Sequence, residues 1–415
     1  MLCSPVFVSW LSEFRALDRR VWALTAARTV VTVGYSMVMP FLAIHLAVER
    51  KVNAVAVGSL WLIAGLLSAG AQWAAGELAD RVGRRAIMLG SMLLRAANLA
   101  ALGYAISRQA PVLLIGVLVA GNAMLRGCFE PVATALVADL APPGERVAAF
   151  ALQRVGVNLG WAIGPMLQAL PFSYAHMFYA AAPLTLVAAL GVSTIHDPPG
   201  CTSTRAFTWG QLLAFRREPL LLRYLVATLS FFLLQVQLFQ TLSIYAARTL
   251  HMSRAQVGTL YTLNGLLVVA LQAPTVRIIH WLSMRRALVL GSLGYACAYA
   301  CVGLATGQPT LLVCIAMVTL AEVVVSPAQQ TTIAALAPPG RMGAYAGLYG
   351  LCQVLGQSTG PVVGATLLDT LPARAAWFVL ALFGIAAALG YRAVSPAISP
   401  AAASEHKGLA RGRKA

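Results

Sequence analysis

Six ionisable residues stand inside long apolar stretches of this 415-residue chain: Arg28, Arg95, Arg126, Glu130, Arg154 and Glu322. At the centre of a lipid-embedded helix such a group costs at least about 2.5–3.5 kcal/mol, so each needs a partner or a water-filled cavity. A carboxylate in such a place can take up and release a proton across the physiological range. Glu130 and Glu322 are therefore the candidates for proton coupling, with Arg126 and Arg28 as counter-charges. Arg126 and Glu130 are four apart and share a helix face, so a purely structural pair is the alternative for Glu130. A charge at a helix end is the alternative for Glu322, and snorkelling or helix–helix bonding is the simpler reading of Arg95 and Arg154.

Uncharged polar and aromatic residues accompany them. Gln237 and Asn264 are assigned to the same cavity, beside Phe231, Phe232, Gln235, Phe239, Tyr245, Tyr261 and Gln272. Amides and rings without fixed charge suit amphipathic or weakly basic ligands, although lipid-facing packing accounts for the rings nearly as well. A second cluster is the decapeptide Gly76-Glu77-Leu78-Ala79-Asp80-Arg81-Val82-Gly83-Arg84-Arg85. Here Gly76 would let a neighbouring helix approach closely. Asp80 can meet a helix N-terminus or a basic side chain. Gly83 permits a tight turn, and Arg84 and Arg85 anchor the loop. A charged turn that merely follows the distribution of basic residues is the alternative. A third feature is Gly160, Gly164 and Pro165. The glycines share one helix face, which suits a small-residue packing seam, and the proline frees a backbone carbonyl.

These residues need elements to hold them, and the composition says which. The chain is 59% hydrophobic and only 10% charged, against roughly 25% charged in a water-soluble domain. The surrounding solvent is therefore lipid. A soluble enzyme, a disordered chain and a disulfide-stapled module are disfavoured, and unbroken apolar runs disfavour an alternating β-barrel. Windows free of Asp, Glu, Lys and Arg cover 29–48, 52–76, 224–247, 255–276 and 342–368, each long enough to cross the bilayer as a helix. Windows 155–196 and 287–321 fold in two, near Pro171 and near Gly307-Gln308-Pro309. With 86–106, 111–137 and 375–396 the total is twelve helices.

With both termini on one face, nineteen Lys and Arg fall on that face and six on the other. That asymmetry marks the first face as cytoplasmic and makes the net charge of +17 a topology signal, not a nucleic-acid footprint. The chain also repeats itself: residues 131–169 fall on 327–365 without a gap, with 14 of 39 positions identical, including Pro131/Pro327, Gly160/Gly356, Gly164/Gly360 and Pro165/Pro361. Such parallel repeats put a site at the interface between two halves. Under this offset Arg126 corresponds to Glu322. The organisation expected is a cytoplasmic segment 1–21, a six-helix bundle 22–196, a cytoplasmic linker 197–219, a second bundle 220–396 and a basic cytoplasmic tail 397–415.

The decapeptide resembles the loop signature of the major facilitator superfamily (G-x-L-A-D-R-x-G-R-R) at the same place, after the second helix. With the twelve-helix layout the resemblance covers nearly the whole chain. It implies an all-α integral membrane protein of twelve helices in two pseudo-symmetric bundles. It further implies that the loop Gly76, Asp80, Arg81, Gly83, Arg84 and Arg85 gates the outward-open state. Asp80 would then meet the start of helix eleven, and Arg84 would pair with Asp139. In the second half Arg285-Arg286-Ala287 echoes Arg84-Arg85-Ala86, but Trp281 replaces the aspartate. Residues 160–165 resemble the antiporter signature of the same superfamily (G-x-x-x-G-P-x-x-G-G), with Gln168-Ala169 in place of its glycine pair. Their second copy at Gly356, Gly360 and Pro361 completes a hinge or packing set. Met39-Pro40-Phe41-Leu42, Gln237-Leu238-Phe239-Gln240-Thr241-Leu242 and Leu263-Asn264-Gly265 are similar to the drug/proton antiporter branch. The helix-four signature of the family is not recognisable, since Arg126 is shifted from it.

The resemblance implies proton-coupled efflux of small amphipathic molecules or drugs by alternating access, from the inner membrane of a bacterium. Uptake of a polar metabolite with protons, and a non-transporting membrane sensor that keeps the fold, are the alternatives. The partners expected are a small-molecule substrate, protons and the lipid bilayer, with no nucleic acid, and the chain is expected to act as a monomer. No cofactor or metal is expected: the seven cysteines are scattered, and no G-x-x-x-x-G-K-[ST] phosphate loop is present. Enzyme chemistry is not expected, because none of the span-end histidines His45, His176 and His280 stands near Cys or Asp in a recognisable spacing.

Overall fold

A computed structural model describes residues 14–142, 145–196, 218–337 and 342–394, without the side chains of Asp80, Val147, 272–281 and 342–344. Most of the expected linker and the whole of the tail lie outside the described residues. The first half consists of α1 (Arg19–Ile44, with one π-helical turn His45–Glu49), α2 (Ala54–Val82), α3 (Arg84–Ser107), α4 (Val112–Leu140), α5 (Arg146–Met166) and α6 (Tyr174–Ser193). The second holds α7 (Pro219–Gln235, a 3-10 turn Val236–Leu238, then Thr241–Arg248), α8 (Arg254–Trp281) and α9 (Met284–Leu304). It is completed by α10 (Gln308–Leu336), α11 (Met342–Thr370) and α12 (Ala373–Val394). Among the described residues nine spans are long and apolar enough to cross a membrane. The other three, α5, α8 and α11, have 21, 28 and 29 residues, and at 1.5 Å per residue they cover about 30 Å or more.

Local signals set the helix ends. Asp18 caps α1: its carboxylate accepts from the backbone N–H of Arg20 at 2.7 Å. The Arg20 guanidinium beside it holds that carboxyl below its ordinary value. Asn53, Ser173 and Ser283 cap α2, α6 and α9 in the same way. Two helices outrun the charge-free windows. α1 starts ten residues earlier than its window, so Arg28 lies inside it. α10 continues to Leu336, so Glu322 is in mid-helix and is not a helix-end charge.

The packing repeats with a shift of six helices. In the first half α1 packs on α5 and α6, α3 on α4 and α6, and α2 on α4. In the second half α7 packs on α11 and α12, α9 on α10 and α12, and α8 on α10. The halves meet along two crossed pairs, α2 with α11 and α5 with α8. One apolar core joins both halves, containing Phe41, Leu102 and Phe178 together with Leu242, Tyr299 and Trp377. A separate core, with Val21, Met88, Phe129, Leu136 and Val192, belongs to the first half alone. The first-half members of the shared core lie toward the far face, where α1 ends and α2 begins, whereas its second-half members run the length of that bundle, from Tyr224 and Tyr391 to Leu242 and Trp377. The separate core lies toward the terminal face, where α1 begins and α12 ends. The halves are thus closed together at the far face and parted at the terminal face.

Candidate functional site

The charged residues form two facing walls. On the first-half wall, Arg28 Nη2 donates to Glu130 Oε2 at 2.5 Å and Arg28 Nη1 donates to Gln153 Oε1 at 3.3 Å. Gln153 in turn donates to Thr25 Oγ1 at 2.6 Å, which fixes α5 against α1. Arg126 is a distant second partner of Glu130, with Nε 3.9 Å from Oε1. Its guanidinium lies over the Tyr35 ring, 4.3 Å from the centroid, and Arg95 approaches the same ring at 5.6 Å. Arg95 is 3% exposed, and its Nε and Nη2 find no hydrogen-bond partner among the described residues. An open groove of about 470 Å³ runs from Glu130 toward the terminal face, lined by Gln72, Pro131, Thr134, Ala135, Ala138 and Phe150.

The second-half wall carries the opposite charge. Glu322 Oε2 accepts a long hydrogen bond from Asn264 Nδ2 at 3.4 Å, and that amide also donates to Thr319 Oγ1 at 2.9 Å. Tyr295 and Gln235 face the Glu322 carboxylate, and Arg154 reaches toward it from α5 of the first half. Among the described residues no cation stands within ion-pair distance of Glu322, whereas Glu130 has Arg28. The two walls are related by the repeat. Gly160 would place a Cβ 2.6 Å from Thr32 Cβ, and its counterpart Gly356 would place one 2.5 Å from Phe232 Cβ. Thr32 and Phe232 are therefore equivalent, and so are Tyr35 and Gln235. Gly103 packs on Ala175 and Tyr179 of α6 as Gly303 packs on Arg374 and Trp377 of α12, which equates Arg95 with Tyr295. Tyr35, Arg95 and Arg126 thus correspond to Gln235, Tyr295 and Glu322.

Aromatic rings roof the space between the walls on the far side. Trp161 of α5 meets Phe239 of α7 at 4.5 Å, Tyr261 of α8 at 6.3 Å and Tyr35 at 6.1 Å between centroids. Beyond this roof a polar lock joins the halves. Arg248 Nη2 donates to the carbonyls of Ala47 and Val52, both at 2.8 Å, and Arg248 Nη1 lies 3.5 Å from Asp369 Oδ1. Asp369 Oδ2 accepts from the N–H of Ala54 at 3.1 Å, and Arg254 lies over the Tyr174 ring at 4.4 Å. Arg248, Arg254, Asp369, Tyr35 and Trp161 are not among the site residues that the sequence offers, and Tyr174 reads there as an interfacial anchor. A usable signal existed for the first two, since they are among the few basic residues on the face that is poor in them.

The glycine, loop and amide candidates fall into place as follows. Gly160 and Gly164 lie in the α1–α5 seam, with Gly164 2.5 Å from the Val33 carbonyl on an added Cβ. Gly356 and Gly360 lie in the equivalent α7–α11 seam, Gly360 3.1 Å from the Leu233 carbonyl. Pro165 and Pro361 turn their carbonyls toward glycines of the opposite half, Gly258 and Gly58. Gly83 has φ 93°, a conformation that a side chain rarely adopts, and it ends α2 and starts α3. Arg84 forms an ion pair with Asp139, Arg85 donates to the Ser193 carbonyl at the end of α6, and Arg81 pairs with Glu77 one turn back. The side chain of Asp80 lies outside the described residues.

Two expectations are corrected. Among the described residues no heavy atom lies within 4 Å of where a Cβ at Gly76 would stand, so no close helix approach is seen there. Gln237 does not line the cavity. It is fully buried in the α7–α11 seam, donating to the carbonyls of Leu233 at 2.6 Å and Gly360 at 2.9 Å and accepting from Thr241 at 2.5 Å. Its amide holds together the break in α7.

The chain matches the family model of the Major Facilitator Superfamily over residues 24–361 and again over 241–414. It is 29% identical over 377 residues to a multidrug resistance protein MdtH of Aeromonas salmonicida, covering 88% of this chain and 92% of the relative. The corresponding MdtH of Photorhabdus laumondii is 26% identical over 388 residues, with 91% and 94% covered. Among solved structures, a POT family transporter bound to a thioalcohol-conjugated peptide superposes with a TM-score of 0.77 at 15% identity, covering 93% of this chain and all of that one. The nucleoside transporter NupG gives 0.75 at 10% identity, covering 91% and 100%. At such identities these two matches speak for the fold alone.

Proposed function

The chain belongs to the Major Facilitator Superfamily, and on that premise we propose that it exports small amphipathic molecules in exchange for protons. It is a multi-pass membrane transporter of a small-molecule substrate. The finer assignments are inferences: the inner membrane of a bacterium, both termini in the cytoplasm, a monomer, and bundles 22–196 and 220–396 rocking about a central cavity. The direction of transport is supported by the relatives, which are named as multidrug resistance proteins.

The observation that carries the coupling is the contrast between the two carboxylates. Glu130 is held by Arg28 at 2.5 Å. Glu322, mid-helix between the halves, has Asn264 at 3.4 Å and no cation within ion-pair distance among the described residues. A carboxylate without a fixed counter-ion is the one that can exchange its charge for a proton as the cavity opens to each side. Glu322 is therefore the coupling group, and Arg28–Glu130 is a structural pair. The test is flux of fluorescent substrates into vesicles under an imposed pH gradient. Glu322→Gln should abolish gradient-driven accumulation while leaving substrate exchange at equilibrium, and Glu130→Gln should leave coupling intact in whatever protein folds. Undiminished coupling in Glu322→Gln would remove the assignment.

A further inference from the structure

We infer that the first-half wall of Arg95, Arg126 and Tyr35 is a recognition site for an anionic group, so that the molecule carried is an amphipathic organic anion with an apolar or aromatic body. This deepens the transport reading and rests on it for the word "carried"; the binding site itself stands on the geometry. It also departs from the weakly basic ligands that the uncharged amides and rings suggested.

The wall carries an excess of positive charge. Three guanidiniums, Arg28, Arg95 and Arg126, face one carboxylate, Glu130. Arg28 takes that carboxylate at 2.5 Å, and Arg126 reaches it only at 3.9 Å. Among the described residues Arg95 has no carboxylate within ion-pair distance. Arg95 and Arg126 instead flank a single Tyr35 ring, at 5.6 and 4.3 Å, close enough to repel each other. One ring face is a weak counterweight to two positive charges withdrawn from water.

The unmet hydrogen-bonding capacity is mostly of the same sign. Among the described residues Arg95 Nε and Nη2 are without partners at 3% exposure, and so is Nδ2 of Asn122 at 1%, one turn before Arg126 on α4. These three are donors, against one unpartnered acceptor, Asn98 Oδ1, one turn after Arg95 on α3. A planar guanidinium is built to receive a carboxylate or sulfonate on two N–H groups, and that bond is charge-assisted. Arg126 is the accessible member, its side chain 42% exposed, while Arg95 is buried behind it. The roof of Trp161, Phe239 and Tyr261 supplies an apolar surface for the rest of the molecule. In the equivalent place of the second half, Gln235, Tyr295 and Glu322 present no cation, so the preference for an anion is local to the first-half wall.

The test uses the full chain in phosphatidylcholine nanodiscs without a pH gradient. Two probes share one fluorescent body and differ in one group: dansyl-glycine carries a carboxylate and dansyl-glycinamide a carboxamide. Binding is read by tryptophan-to-dansyl energy transfer. The acid should bind roughly tenfold or more tightly than the amide, as expected for hydrogen bonds to a charged group. Arg95→Gln and Arg126→Gln should each bring the ratio toward one, and Arg126→Lys should retain more of it than Arg126→Gln. A ratio near one in the wild type, or a ratio unmoved by both Gln substitutions, overturns the proposal. Should a variant fail to fold, the wild type decides alone: benzoate must displace dansyl-glycine and benzamide must not, and equal displacement overturns it. A retained acid preference in a protein that shows no proton-driven flux counts for the site and against the transport reading, so the two fail separately.

Discussion

Glu130 and Glu322 carry the same functional group, and their neighbours give them different work. Arg28 and Glu130 are 12% and 32% exposed, so their pair is partly screened and its contribution sits well below that of a fully buried one. Replacing Glu130 alone with Gln leaves Arg28 without its carboxylate and should cost about 1–3 kcal/mol. The double substitution Arg28→Gln/Glu130→Gln should recover part of that loss. Thermal unfolding of the two single variants and the double, in one detergent, measures the coupling directly, and a coupling energy of zero would mean that the pair stabilises nothing. At this scale the sequence exposed the right residue types but not their partners. The i,i+4 spacing suggested Arg126 for Glu130, yet the Arg126 side chain goes to Tyr35, and the nearer guanidinium comes from α1, 102 residues away in sequence. Nothing local in the chain records such a contact.

Helices were legible because lipid demands unbroken apolar runs, and their ends were less so because the same rule fails beside a cavity. The windows stopped at Arg28 and Glu322, although both helices continue through those charges; a charge facing water or another helix does not end a span. The repeat was legible where it preserves identical residues, in α5 and α11. It was invisible where only the contacts are kept, as between Thr32 and Phe232. The glycine seams make a sharp prediction at this scale. An added Cβ at Gly164 would stand 2.5 Å from the Val33 carbonyl, with Ser36 closer still, whereas one at Gly70 would meet no heavy atom within 4 Å among the described residues. Gly164→Val should therefore push α5 off α1 and cost roughly 1–3 kcal/mol or prevent folding, since backbone cannot yield as a side chain can. Gly70→Ala should be tolerated, or slightly stabilising through helix propensity. Comparative yield of monodisperse protein and unfolding midpoints would show it, and equal behaviour of the two variants would contradict the seam.

Alternating access in the whole molecule depends on how the halves separate at the far face, and the crossings there are duplicated. On α2, an added Cβ at Gly58 would stand 2.8 Å from the Pro361 carbonyl of α11, and Gly65 packs against Ser358. On α8, Gly258 would meet the Pro165 carbonyl at 2.5 Å, and Gly265 would meet the Ala162 nitrogen at 2.7 Å. Pro165 and Ala162 are the repeat counterparts of Pro361 and Ser358, so the two crossings are one contact made twice. Which face is closed could not be read from sequence, because closure is a balance of contacts between distant segments. The equivalence gives a quantitative expectation. A leucine at either glycine wedges its helix from the facing carbonyl only while the far face is shut, so it penalises that state and favours the opposite one. In a background without native cysteines, Phe239→Cys reports on the roof, and an impermeant maleimide added from the far side should label it slowly. Gly58→Leu and Gly258→Leu should each accelerate that labelling, by similar factors, and Asp369→Asn should act in the same direction by weakening the Arg248 lock. Acceleration by one glycine variant and not the other would mean that the crossings are not equivalent, and that the halves do not move about a shared twofold axis.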